Sequence, residues 1–251
     1  MGRVRYSCCN GMNDQTWIQQ ALALFRKDIL AETRTRVAFG AMGVFSFASL
    51  LLIALAMVGL KGVLIQNSSG QAVPAWNNSG KMSLLWVLLC FAAFAGLSHS
   101  FVYEEETGTA STLKLHMGPQ AVYAGKLLFN TTVLLAVSLV ITPMYMVMTG
   151  MDAGTLPMFF AVMLSGTASL SAVATVVAAL AARARSTGAL FGAVGLPMLT
   201  VLLVLIMNAA RQCYIRSESA VQYLRPLTGI VCFGVLIVTL SAMLFHYIWE
   251  D

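Results

Sequence analysis

Three consecutive carboxylates, Glu104, Glu105 and Glu106, stand in the longest polar interruption of an otherwise oily chain, the run from Phe101 to Pro119. Gly108 and Thr109 follow, then a helix-sized segment over about 110–117 that Gly118 and Pro119 close. Gly tolerates a left-handed helix cap and Pro cannot continue a helix, so the pair reads as a stop signal. Between two apolar runs this stretch reads as a short docking helix for a soluble partner, with a plain connecting loop as the alternative. Bond-breaking chemistry has no foothold elsewhere. The chain has no Walker A loop, no HExxH, no GxSxG and no paired carboxylates inside an apolar run. Any ATP-driven work therefore needs an ATPase on another chain.

The elements that must position this connector are membrane spans. Of the 251 residues 59% are hydrophobic and 10% charged, with a mean hydropathy of +0.80; a soluble domain carries about 25% charged residues. Six apolar runs, at about 37–60, 82–103, 121–148, 157–182, 188–208 and 227–249, approach or exceed the roughly 20 residues that cross a bilayer. The expected fold is all-α: a polytopic permease-like domain over 37–251, an amphipathic helix over 16–36 and a flexible extension over 1–15. Continuous rather than alternating runs exclude a β-barrel, and the first 36 residues hold no secretory signal. Span four, rich in Ser, Gly and Ala, should lie inside the bundle, because small residues let backbones approach. Span three should be interrupted near Pro143, and 61–81 should be a polar loop.

In the segment 16–36, Ile18, Ala21, Leu22, Phe25 and Ile29 share one helix face. Arg26, Lys27, Asp28, Glu32, Arg34 and Arg36 occupy the others, with Glu32 and Arg36 spaced for an ion pair. Such a helix lies on the membrane surface with its charges toward water. Ten of the fifteen Lys and Arg fall on the side of the N-terminus and the Glu-rich connector. That bias puts both termini and the connector in the cytoplasm, as in a bacterial inner membrane. The net charge of +5 is spread between spans, which encodes topology and gives no nucleic-acid partner. The five cysteines form no CxxC pair and no metal-ligand spacing, and His99, His116 and His246 read as hydrogen-bonded or interfacial histidines, with a haem ligand as the alternative. Charges inside the spans are almost absent, which argues against an ion-coupled transporter.

Several motifs resemble one family. Phe25-Arg-Lys-Asp28 with Glu32-Thr-Arg34 is similar to its opening acidic and basic segment. Phe101, Glu104, Glu106, Gly108 and Thr109, ending in Pro119, resemble its cytosolic connector. Gly125-Lys126 and Asn130 are similar to its Gly-Lys and Asn at the start of span three; Ser165-Gly166-Thr167, the segment ending in Arg183, and Pro197 match further. The family is CcmB, the ABC-2 type membrane subunit of the cytochrome c maturation ABC complex. The resemblance implies a permease that is not itself an enzyme, coupled through Asp28, Glu32, Arg34, Glu104, Glu106, Gly108, Pro119 and Lys126 to its partners. Those partners would be a cytosolic CcmA-like ATPase that binds the ATP, a CcmC-like haem-handling protein, a small CcmD-like helper and a CcmE-like haem chaperone. Haem would be handled by the complex, with no cofactor bound by this chain. An ABC-2 permease for a lipid, polysaccharide or drug has the same architecture, and a non-transporting scaffold is the other alternative.

Overall fold

The computed structural model describes residues 17–59, 64–66, 72–74, 77–97, 118–183, 195–214 and 220–250. Among them are seven helices and one hairpin. The N-terminal part holds α1 (Trp17–Thr35), α2 (Val37–Gly59), β1 (Leu64–Gln66), β2 (Ala72–Pro74) and α3 (Asn78–Leu97). After the connector come α4 (Pro119–Thr149), α5 (Leu156–Arg183), α6 (Leu196–Arg211) and α7 (Ala220–Glu250). Five helices, α2, α3, α4, α5 and α7, are long and apolar enough to cross a membrane. The molecule is a polytopic helical membrane protein. Helix α6, with 16 residues, spans about 24 Å and covers the C-terminal part of the expected fifth span; residues 184–194 lie outside the described set.

Helix α5 is the hub. It packs against α4, α7, α6 and α3, and 72% of its apolar window is buried, against 28% for α2 and 22% for α7. Its Ser, Gly and Ala positions explain this, since small side chains admit neighbouring backbones on several sides. Around it the core is filled by Met42 and Leu50 of α2, Leu85, Trp86 and Leu89 of α3, Leu134 of α4 and Leu202 of α6. The apolar side chains left outside, such as Phe47 and Leu52 of α2 or Val235 and Leu240 of α7, form faces suited to hydrocarbon.

Local chemistry moves several boundaries away from those expected. The stretch after α2 contains an antiparallel hairpin rather than a plain loop, with Leu64 opposite Pro74, Ile65 opposite Val73 and Gln66 opposite Ala72; β-branched Ile65 and Val73 favour strand. Helix α3 starts at Asn78, ahead of the expected 82, because Asn77 caps it: its Oδ1 accepts the Gly80 N–H at 2.7 Å. Helix α4 runs unbroken through Pro143. That ring sits on the exposed side of the helix, so only its own missing amide bond is lost. Helix α7 likewise begins before Pro226, which lies in its second turn.

Gly118 and Pro119 start a helix; the segment that they were expected to close lies outside the described residues. Gly118 is extended (φ −68°, ψ 148°) and Pro119 opens α4. The Gly118 carbonyl accepts from Ala121 and Val122 at 3.1 and 3.2 Å. Pro suits this first position, where its missing N–H would have had no helical partner, and it pushes the preceding residue out of the helical region. The expected left-handed cap is instead at the far end of α4, where Gly150 has φ 60° and ψ 37° and donates to Met146 O.

Candidate functional site

Helix α1 packs along the first half of α4. The buried positions of α1 are Ala21, Leu24, Asp28 and Glu32, a stripe at i, i+3, i+7 and i+11. Periodicity alone places the two acids on the water-facing side, and that expectation is corrected by the fold: Asp28 and Glu32 are each only 7% exposed. Of the apolar face expected to lie on the membrane, Ile18 and Leu22 are open to the outside, while Phe25 and Ile29 pack partly against the bundle. The inward turn has a cause on α4. Gly125 lets the helices touch, since a Cβ there would stand 2.9 Å from the Ala21 carbonyl oxygen and 3.0 Å from Leu24 Cδ2. The next residue is a cation.

Lys126 Nζ lies 3.1 Å from Asp28 Oδ2, and the lysine side chain is 3% exposed. Lys27 Nζ approaches the other carboxylate oxygen, Oδ1, at 3.2 Å from the outside. Oδ2 accepts no aligned hydrogen bond among the described residues, so charge rather than hydrogen-bond geometry holds it to Lys126. A buried charge left without its partner costs about 3–5 kcal/mol. The pair therefore clamps α1 to α4. Lys126 is the exception to the scarcity of intramembrane charge, and the fold answers it with a carboxylate.

One turn further along α1, Glu32 serves a different end. Its Oε1 accepts the Phe39 N–H at 2.9 Å, satisfying an amide of the first turn of α2 that has no helical partner and placing a negative charge at a helix N-terminus. The expected Glu32–Arg36 pair does not form. Arg36 instead takes a left-handed conformation, φ 55°, as the single residue between α1 and α2. Its N–H donates to Glu32 O at 2.7 Å and its carbonyl accepts from Gly40 at 2.9 Å. Arg34 is exposed in the last turn of α1, where a cation meets the negative end of the helix dipole.

A polar seam continues inward from Lys126. Asn130, one turn on, is fully buried and its Nδ2 donates to Thr175 Oγ1 of α5 at 2.8 Å. Thr175 donates to the Ser171 carbonyl at 2.6 Å, and Thr131 hydrogen-bonds the Ser171 hydroxyl. Thr175 and Ser171 were not singled out from sequence. Their signal was the i, i+4 spacing of two hydroxyls in the small-residue span, and it gains meaning only opposite Asn130.

Of the eight residues singled out for partner coupling, the fold joins Asp28 to Lys126 and sets Glu32 and Arg34 at the end of the same helix. Pro119 begins the helix that carries Lys126. Glu104, Glu106, Gly108 and the expected short helix over 110–117 lie outside the described residues, as do His99 and His116. The segments brought together at the clamp are those that matched the family's opening acid–base segment and its Gly-Lys pair. The family model for CcmB protein matches residues 19–245, from α1 into α7. The chain belongs to the CcmB family. That makes it a membrane component of the haem-exporter ABC permease of cytochrome c biogenesis, a transport role in partnership with an ABC ATPase and other Ccm components. No curated protein and no solved structure matches the chain.

Proposed function

We propose that this chain is the permease subunit through which ATP hydrolysis on a separate CcmA-like ATPase drives haem delivery, or release of the haem-loaded CcmE-like chaperone. The observation that carries the reading is the Asp28–Lys126 contact, because it ties α1 to the helix that leaves the Glu-rich connector at Pro119. The ATPase, closing on ATP, pushes on the connector and on Glu104 and Glu106. Displacement of the start of α4 then carries α1 with it. Glu32 and Arg36 pass the movement on to α2. In this arrangement six spans cross a bacterial inner membrane, both termini are cytoplasmic, and α1 lies along the cytoplasmic surface. CcmC-like and CcmD-like subunits complete the assembly. Haem is its cargo, ATP belongs to the ATPase, and this chain holds neither as a resident group.

Haem staining of covalent c-type cytochromes in cells lacking the gene tests the reading, with wild-type, Lys126→Met and Glu104→Gln copies restored in turn. The expected result is no c-type bands in the null strain and full bands with wild type. Both variants should give weak or absent bands; Glu104→Gln should do so at the wild-type level in the membrane beside an ATPase that still hydrolyses ATP, whereas Lys126→Met should also lower the abundance of the chain. Unchanged bands in the null strain would abandon cytochrome maturation for export of another substrate.

A further inference from the structure

From Trp17 to Arg36 the chain holds four cations, Arg26, Lys27, Arg34 and Arg36, and two carboxylates, Asp28 and Glu32. Folding separates them. Both carboxylates are buried against neighbouring helices, whereas all four cations are exposed. The surface of α1 is thus entirely cationic, although the sequence alternates in sign. The same surface carries apolar residues that no described residue covers: Trp17, Ile18 and Leu22 are 57–58% exposed. Ile18 and Leu22 continue through the half-buried Phe25 and Ile29 at i, i+4, i+7 and i+11 as one stripe beside the α4 contact. Arg26, one turn after Leu22, lies at the edge of that stripe, and Arg34 lies further round.

We infer that the exposed face of α1 binds the headgroups of anionic phospholipids, with Ile18 and Leu22 in the acyl boundary and Arg26 and Arg34 on the phosphates. Charge complementarity selects the ligand. A membrane surface offers anions and hydrocarbon side by side, the two chemistries this face presents together. An acidic protein surface would match the arginines but leave the apolar stripe open. The inference rests on α1 lying at the bilayer surface, as in the function proposed above, and adds the lipid class to it. It also gives the burial of Asp28 and Glu32 a second consequence, since carboxylates on this face would repel the headgroups.

The test is native mass spectrometry of the full-length chain in neutral detergent, titrated with phosphatidylglycerol or with phosphatidylcholine. The wild type should retain phosphatidylglycerol over phosphatidylcholine, and the preference should fall as salt rises, because contacts to exposed charges are screened. Arg26→Gln with Arg34→Gln, which leaves the Asp28 clamp intact, should weaken phosphatidylglycerol retention about thirtyfold. Arg26→Lys with Arg34→Lys should behave as wild type, since a lipid surface reads charge. Equal retention of the two lipids by the wild type overturns the proposal, and the salt series on the native chain decides it even if the Gln variant fails to fold. Unchanged phosphatidylglycerol retention by a folded Gln variant also overturns it. None of these readouts uses cytochrome maturation, so failure here is distinct from failure of the coupling reading.

Discussion

The two ends of α4 are fastened by different chemistry. Near its start, Lys126 is held in a buried ion pair with Asp28 of α1. Near its end, about 28 Å along the axis, the Tyr145 hydroxyl donates to the Lys81 carbonyl of α3 at 2.8 Å. Main-chain carbonyls are the acceptors throughout that far end. Lys81 reaches the Gly150 carbonyl at 3.2 Å, the Thr155 hydroxyl donates to Cys213 O at 3.0 Å, and the Tyr214 hydroxyl donates to Asp152 O at 2.6 Å. Main-chain acceptors move only when the backbone does, and each such bond is worth about 1 kcal/mol. Removing one partner of a buried ion pair costs several times that, because the other charge is left uncompensated, and the pair responds to any charge brought near it. The far end is built as a fixed seam, and the α1 end as a clamp that a partner can load.

The contrast is broken most severely at the clamp. Lys126→Met should destabilise the chain by about 3–5 kcal/mol, read as lower membrane abundance and faster limited proteolysis of α1. Combining it with Asp28→Leu removes the orphaned charge and should recover most of the abundance, while c-type cytochromes stay absent on a haem-stained gel. Full maturation by the double variant would reduce the clamp to packing. The elbow comes next. Arg36→Gly relieves the left-handed strain and should keep full maturation, whereas Arg36→Val should cost about 1–3 kcal/mol and impair it. Equal impairment of both variants in the same complementation assay would make the arginine charge, not its backbone, the important feature.

Smaller effects are expected at the seam. Tyr145→Phe leaves the Lys81 carbonyl short of a partner and should lower thermal stability by about 1 kcal/mol, with maturation unchanged. A maturation defect at normal abundance would mean that the seam moves too. The smallest effect is a pH dependence. Burial pushes the Cys213 thiol from 9.0 up to about 11. The Tyr214 phenol rises from 10.0 to about 12, by burial first and then by its neighbours Cys213 and Asp152. Both groups keep their protons in the folded state after the unfolded chain has released them. Their contribution to stability is therefore complete below about pH 9 and lost as pH climbs toward 12. The midpoint of thermal unfolding against pH should fall less steeply over that window in Cys213→Ala with Tyr214→Phe than in wild type.

Much of the scaffold was legible from pattern. The long apolar runs give the spans, and the Ser, Gly and Ala content of α5 gives its central position, because both follow from local composition. Helix α1 was legible as a helix but not in its orientation. Its apolar stripe and its acids were read against water and membrane, whereas the partner that decides the matter is α4, about a hundred residues away. Gly118-Pro119 was legible as a helix boundary, but its part in starting α4 was not, since Gly and Pro suit both a stop and a start. The hairpin after α2 was hidden in a stretch whose polar residues outnumber its two strand-forming cores.

The sequence by itself determined a polytopic membrane chain, where most of its helices run, and the absence of any recognisable nucleotide-binding motif, because hydropathy and motif spacing are properties of neighbours in the chain. Tertiary structure alone decided which charges meet. Asp28 and Lys126 are unremarkable apart and consequential together, Glu32 became the cap of α2 rather than the partner of Arg36, and α1 was left with a cationic face. The physical reason is range: a side chain brings its own ionisable group, but the energy of its charge is set by the dielectric and the counter-charge around it, and packing supplies both.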